Sequence, residues 1–168
     1  MSANTTAISQ AQRNDAEGIA AVQYDTWLAT YPNEELGITR AAIEERVSGF
    51  QSDERIAKWR SIIGDAEEHI TVAKDNDTVI GFSGAQKGDT TSQISAVYVL
   101  PQYHGTGIAQ RLMDATMTWL GDERDIDVEV ASYNDRAIRF YRKYNFVSTG
   151  ETGNSGVIPT IMMRRKAK

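Results

Sequence analysis

Residues 98–113, YVLPQYHGTGIAQRLM, decide the fold. Tyr98, Val99 and Leu100 read as the end of a strand, Pro101 stops it, and an apolar pattern of helical spacing starts at Ile108. Gly105 and Gly107 stand between them. Glycine at such a handover costs conformational entropy that Asn, Asp or Ser would not, so the turn needs bare backbone. A helix that starts there leaves its first N–H groups without intrahelical partners, at the positive end of its dipole. Gly105, Gly107 and Ala109 carry almost no side chain, so a diphosphate can approach. Ile108-Ala109 stand where a P-loop requires Lys-Ser/Thr. GTGIAQ (105–110) lacks the third glycine of a Rossmann turn.

Outward from the turn, SQISAVYVL (92–100) is the strand that enters it. Leu112, Met113, Met117 and Leu120 give the exit helix one apolar face. HITVAKDNDTVIGFSGAQKG (69–88) alternates on both sides of Asp75-Asn76-Asp77, which predicts a hairpin. DIDVEVAS (125–132) alternates carboxylates with Ile126, Val128 and Val130, a strand. NDRAIRFYRKYNF (134–146) is a helix capped by Asn134. FVSTGE (146–151), a glycine-rich turn and VIPTIMMRR (157–165) predict two closing strands. Upstream, TTAISQAQ (5–12) reads as an edge strand. Asn14 or Asp15 is expected to cap a helix through Ile19, Val22 and Trp27. YPNEELG (31–37) breaks that helix. ITRAAIEERVSGF (38–50) and SDERIAKWRSII (52–63) read as two more, the latter capped by Ser52 with Ile56, Trp59, Ile62 and Ile63 inward. The order β, helices, βββ, α, β, α, ββ predicts an α/β (α+β) fold: a mixed, mostly antiparallel sheet of seven strands with helices on its faces.

The chain has 168 residues and no linker, repeat or low-complexity tract, so residues 1–168 read as one domain. A net charge of −5 argues against wrapping nucleic acid. The absence of cysteine excludes a disulfide framework and thiolate chemistry, and two distant histidines, His69 and His104, argue against a metal site. The N-terminal stretch lacks the basic lead and apolar core of a signal peptide, and no stretch approaches a membrane span. The expectation is a cytoplasmic protein.

The turn resembles the acetyl-coenzyme A loop of the GCN5-related N-acetyltransferase (GNAT) superfamily, Gln/Arg-x-x-Gly-x-Gly/Ala. It reads His104-Gly105-Thr106-Gly107-Ile108-Ala109 here, with histidine replacing the first residue. A second family signature, Asn-x-x-Ala-x-x-x-Tyr before Leu-Gly-Phe, is matched by Asn134, Ala137, Tyr141 and Phe146, while Tyr144-Asn145 departs from Leu-Gly. The resemblance implies a fold in which two parallel strands, near 93–100 and 126–131, splay apart to admit acetyl-CoA. Backbone groups of Val97, Tyr98 and Val99 would flank the pantetheine arm. Residues 104–110 (His104, Gly105, Thr106, Gly107, Ile108, Ala109 and Gln110) would hold the pyrophosphate. Asn134 would touch the arm while also capping its helix, and Tyr141 would border the thioester. No metal is implied.

The resemblance further implies direct acetyl transfer to an amine. A free amine near pKa ~10 is protonated at neutral pH and needs a base. Tyr141 matches the family's general acid. A phenol at ~10 opposite a thiol at ~8.5 makes full proton transfer uphill by roughly 2 kcal/mol in water. Gln93 stands where many relatives carry a glutamate and cannot take a proton. Glu129 is the candidate base, with Asp127 on the same strand face and a water chain as alternatives. Trp27 and Tyr31, four residues apart on one helical face, would wall the acceptor pocket with Glu34 and Glu35 nearby. That segment is similar to the polyamine-acetylating branch, so the leading acceptor is a small, polyamine-like amine. A protein N-terminus or lysine is the alternative acceptor. A non-catalytic acetyl-CoA sensor is the alternative of another class. A homodimer is compatible with either.

Overall fold

The fold was analysed in a computed structural model that describes residues 6–168. Thr5, at the start of the expected first strand, lies outside them. Seven strands form one sheet: β1 (Thr6–Gln10), β2 (Glu68–Asp75), β3 (Thr78–Gln86), β4 (Thr91–Val99), β5 (Asp125–Ala131), β6 (Val147–Ser155) and β7 (Ile158–Arg165). Five helices flank it: α1 (Ala16–Thr30), α2 (Arg40–Val47), α3 (Asp53–Ile63), α4 (Ile108–Leu120) and α5 (Asp135–Arg142). The strand order is β1-β2-β3-β4-β5-β7-β6. β4 and β5 pair in parallel, and the other neighbours are antiparallel.

Local chemistry accounts for most element ends. Thr39 Oγ1 accepts the Ala42 N–H at 3.1 Å and Ser52 Oγ the Arg55 N–H at 3.2 Å, so α2 and α3 start on side-chain caps. The β2–β3 turn is tight because Asn76 takes a left-handed φ of 54°. Of the two expected caps of α1, Asp15 holds the N-cap position, but its side chain makes no capping hydrogen bond. Asp15 keeps a helical backbone and caps nothing ahead of it. Its carboxylate turns back to accept the Gln12 N–H at 2.8 Å and meets Lys74 Nζ at 2.6 Å. A buried carboxylate needs a cation, and β2 supplies one.

α1 and α3 cover one sheet face, where Ile19, Val22, Trp59, Phe82 and Ala96 pack. α4 and α5 cover the other over Ile94, Met113, Val128, Tyr141 and Phe146. Ile94 and Ala96 are two apart yet serve opposite faces. A β-bulge explains this: Ala85 pairs with Ile94 but Gly84 with Ala96, leaving Ser95 as the extra residue. The bulge rotates the rest of β4 by one position just where β4 leaves β5.

Candidate active site

β4 and β5 are hydrogen-bonded only along Thr91–Ile94 and Asp125–Val128. Beyond that point they diverge, and a cleft opens between Ser95–Val99 and Val128–Ala131, closed at the back by Asn134, Ala137 and Tyr141 of the α5 segment. The Leu100 N–H donates to Ile80 O at 2.9 Å, on the β3 side. By alternation, Val97 and Val99 turn their N–H and C=O groups into the cleft, while Tyr98 directs its own toward β3. The splay thus leaves strand backbone without a strand to pair with.

At one end of the cleft lies the glycine turn. Gly105 and Gly107 hold φ of 78° and 84°, and a Cβ on either would meet nothing within 4 Å. Both therefore answer to backbone conformation, and the space above them is open. Gly107 caps α4 without a side chain, so the first amides of α4, at Ile108, Ala109 and Gln110, face outward unclaimed by the helix. Ile108 buries its side chain in the core. Thr106 Oγ1 donates to Tyr103 O at 2.5 Å, and Tyr103 Oη to Asp75 Oδ2 at 2.8 Å, bracing the turn against β2.

His104 ties this end together. Its Nε2 donates to Val99 O at 2.9 Å, and its Nδ1 accepts from Arg136 of α5. That pattern requires the neutral ring. Burial, and secondarily Arg136, lower its pKa, against the pull of the Val99 carbonyl. A second cavity beside the turn is lined by Gly105, Gly107, Ala109 and Gln110 on one side and by Arg136, Arg139 and Lys143 on the other. None of these three cations forms a salt bridge among the described residues. The sequence reading missed them, although the spacing 136, 139, 143 marks one helical face.

At the other end stand the groups that could move protons. Tyr141 is 6% exposed, and its phenol is pushed well above the ordinary range, by burial first and by the neighbouring Tyr98 second. Glu129 lines this cleft and a third cavity beyond it, so it sits where the two meet. Thr160 Oγ1 of β7 donates to it at 2.7 Å and orients it. The alternative carboxylate, Asp127, is bound bidentately by Arg164 at 2.6 and 2.7 Å. It lines none of the three cavities, which removes it as an open base. Gln93 is exposed and borders the third cavity. Asn134 does both expected jobs in position: Oδ1 accepts the Ala137 N–H at 3.2 Å, and the residue lines the cleft.

Trp27 and Tyr31 also border the third cavity, edge to face at 4.7 Å. The Tyr31 and Tyr98 hydroxyls lie 3.1 Å apart, and Tyr133 Oη donates to Tyr31 O at 2.7 Å. Burial raises the Tyr31 phenol strongly, with Tyr98 adding to it. Glu34 and Glu35 line none of the cavities. The Trp27 ring instead carries Arg46, its guanidinium carbon 5.7 Å from the ring centroid.

No grouping of three or more His, Asp or Glu side chains that could hold a metal occurs among the described residues. No described helix is long and apolar enough to cross a membrane.

The comparisons agree with this geometry. The family model described as Acetyltransferase (GNAT) family matches residues 24–146. An uncharacterized N-acetyltransferase of Mycobacterium tuberculosis is 30% identical over 140 residues, covering 81% of this chain and 85% of the relative. The crystal structure of the PaiA N-acetyltransferase from Thermoplasma acidophilum in complex with coenzyme A superposes with a TM-score of 0.77 at 19% identity, over 96% of this chain and 99% of that one. A GCN5-related N-acetyltransferase from Rhodopseudomonas palustris gives a TM-score of 0.72 at 21% identity, over 99% of this chain and 98% of the other.

Proposed function

Since the chain belongs to the GNAT acetyltransferase family, we propose that it transfers the acetyl group of acetyl-CoA directly to a primary amine of a small molecule. The observation that carries this reading is the position of Glu129, at the meeting point of the β4–β5 cleft and the cavity bordered by Trp27 and Tyr31. A base placed there reaches both an acyl donor from one side and an amine from the other.

The residues fit the cosubstrate. The open space over Gly105 and Gly107, the outward amides of residues 108–110 and the cations Arg136, Arg139 and Lys143, none of them in a salt bridge among the described residues, suit a pyrophosphate and its neighbouring phosphate. The cleft-facing backbone of Val97 and Asn134 suit the amide-bearing pantetheine arm. Bound acetyl-CoA supplies an activated thioester. Glu129, fixed by Thr160, takes the proton of the attacking amine. As the C–N bond forms and the C–S bond breaks, Tyr141 holds its proton toward the departing sulfur. Its raised pKa keeps the phenol protonated for that task.

The polyamine expectation rested on Trp27, Tyr31, Glu34 and Glu35. With Trp27 under Arg46 and both glutamates away from the cavities, what remains is the broader class of small primary amines. A thiol-release assay with an amine panel, and mass spectrometry of the product, test the proposal. N-acetylation of at least one small amine is expected. Binding of acetyl-CoA without thiol release on any amine would reduce the protein to a cofactor-binding module.

A further inference from the structure

The third cavity has an uneven chemistry that the transfer step alone does not require. Among the described residues that line it, Glu129 is the only one with a full charge. The Trp27, Tyr31 and Tyr98 rings make one wall, and burial raises both phenols, so they stay neutral. The rest of the polar lining is Gln93, Ser95, Ser155 and Thr160. Their amide and hydroxyl groups donate and accept hydrogen bonds without carrying charge.

These groups fall into two sets. Ser95 and Glu129 also line the β4–β5 cleft, so they stand at its junction with the cavity. Ser95 owes its place to the bulge, of which it is the extra residue. Its Oγ lies over Gly84, where a Cβ would meet it at 2.5 Å, so the glycine makes room for the hydroxyl. Thr160 spends its proton on Glu129. Gln93 and Ser155 line the cavity but not the cleft. Gln93, on β4, is exposed, and Ser155, at the end of β6, is half-buried. Neither side chain makes a hydrogen bond among the described residues.

A carboxylate at the junction and two neutral groups beyond it sort amines by their tails. A second ammonium would leave Glu129 to serve two cations, and an anionic tail would meet no cation among the described lining residues. Either charge would lose water without gaining a partner. A methyl tail would cost Gln93 and Ser155 the hydrogen bonds that water gives them. A hydroxyl both donates and accepts, so it suits an amide and a second hydroxyl at once. We propose that the acceptor is a singly charged amine whose tail carries a hydroxyl group, its amine held at Glu129 and Ser95 and its hydroxyl by Gln93 and Ser155. This rests on the transferase reading and narrows its substrate class, setting the acceptor apart from polyamines and from amino acids.

The test compares alkylamines of one length that end in a hydroxyl, a methyl, an ammonium or a carboxylate, across a graded series of lengths. In the unchanged protein, kcat/KM for thiol release is expected to be highest for the hydroxyl, about tenfold above the methyl, with the gap in KM. Gln93→Leu brings hydroxyl- and methyl-ended amines to within about twofold of each other. Gln93→Glu supplies a second carboxylate and moves the preference to the ammonium-ended amine. All four tails are read in the same variant, so any change in base strength cancels. Gln86→Leu leaves the preference unchanged, because Gln86 pairs with Gln93 across the strands yet lines none of the three cavities. Equal efficiency on all four tails, or a preference for the methyl, ammonium or carboxylate, overturns the hydroxyl site and leaves the transferase standing. So does a hydroxyl preference that neither Gln93 variant alters. Absence of thiol release on every amine removes the transferase. Titration calorimetry in the presence of coenzyme A then decides the site. It stands if the hydroxyl-ended amine binds more tightly than the methyl-ended one in the unchanged protein and not in Gln93→Leu, and it falls otherwise.

Discussion

The two ends of the cleft are built in opposite ways. The cofactor end comes from two continuous stretches, Val97–Gln110 and the α5 segment 134–143, and most of what it offers is main chain. The acceptor end gathers Trp27 from α1 and Tyr31 at its end, Glu129 from β5, and Ser155 and Thr160 from β6 and β7. What it offers is side chains. Backbone recognition needs only a local conformation, which a few neighbouring residues can dictate. Side-chain recognition needs a shape, which the whole fold must assemble.

Glu129 joins the two ends, so its loss should have the largest effect. Glu129→Gln keeps the contact with Thr160 and removes the base. A fall in kcat of about 10²–10⁴-fold is expected, with acetyl-CoA affinity within about twofold of the parent by titration calorimetry. A comparable loss of acetyl-CoA affinity would mean that Glu129 belongs to the cofactor end alone, and the division between ends would fail.

Gly107→Val strikes the cofactor end only. A β-branched residue at φ 84° costs about 1–2 kcal/mol in backbone strain, and its branches cover the amides of α4. Since a Cβ there meets no neighbour, the fold should survive with a lower melting temperature. Acetyl-CoA affinity is expected to drop at least about tenfold.

The same division explains what the sequence disclosed. Strand alternation, the caps Ser52 and Asn134 and the glycine pair are local signals, and the elements they predict are present in the predicted order. The Asp15 cap was misread because its partner, Lys74, lies 59 positions away on β2. The bulge at Ser95 was invisible for a related reason: Ser92, Ile94 and Ala96 alternate as buried residues, and only pairing with β3 shows that Ile94 and Ala96 face opposite ways. Asp127 and Glu129 looked equivalent until β7 placed Arg164 opposite one and Thr160 beside the other. By contrast, the basic face of α5 was legible and simply unread.

That face sharpens the comparison through salt. Arg139 and Lys143 line the second cavity without carboxylate partners. Arg139→Glu with Lys143→Glu should weaken acetyl-CoA binding about tenfold at low ionic strength. The gap to the parent should narrow as salt rises, because exposed charges are screened beyond about 8–10 Å near physiological salt. The amide contacts of residues 108–110 are less sensitive. A gap independent of salt would assign the loss to distortion of α5 rather than to charge.

The smallest effect concerns His104, whose ring spans the cofactor end from Val99 O to Arg136. Its pKa in the folded chain is depressed, by burial first, below the ~6.5 of an unfolded chain. Between those two values the unfolded state binds more protons, so its contribution to stability is complete above pH ~6.5 and is lost as pH falls toward the folded pKa. Protonation also removes the acceptor at Nδ1 and sets two cations face to face. Gln at this position can donate to Val99 O and accept from Arg136 without titrating. His104→Gln should therefore flatten part of the fall in melting temperature between pH 7 and 5. It leaves the part due to His69, also depressed by burial and by Lys87. Because the His104 ring is partly exposed, solvent screening keeps the difference to a degree or two by circular dichroism. Parallel curves for the two proteins would show that the ring is neutral for some reason other than its place between Val99 and Arg136.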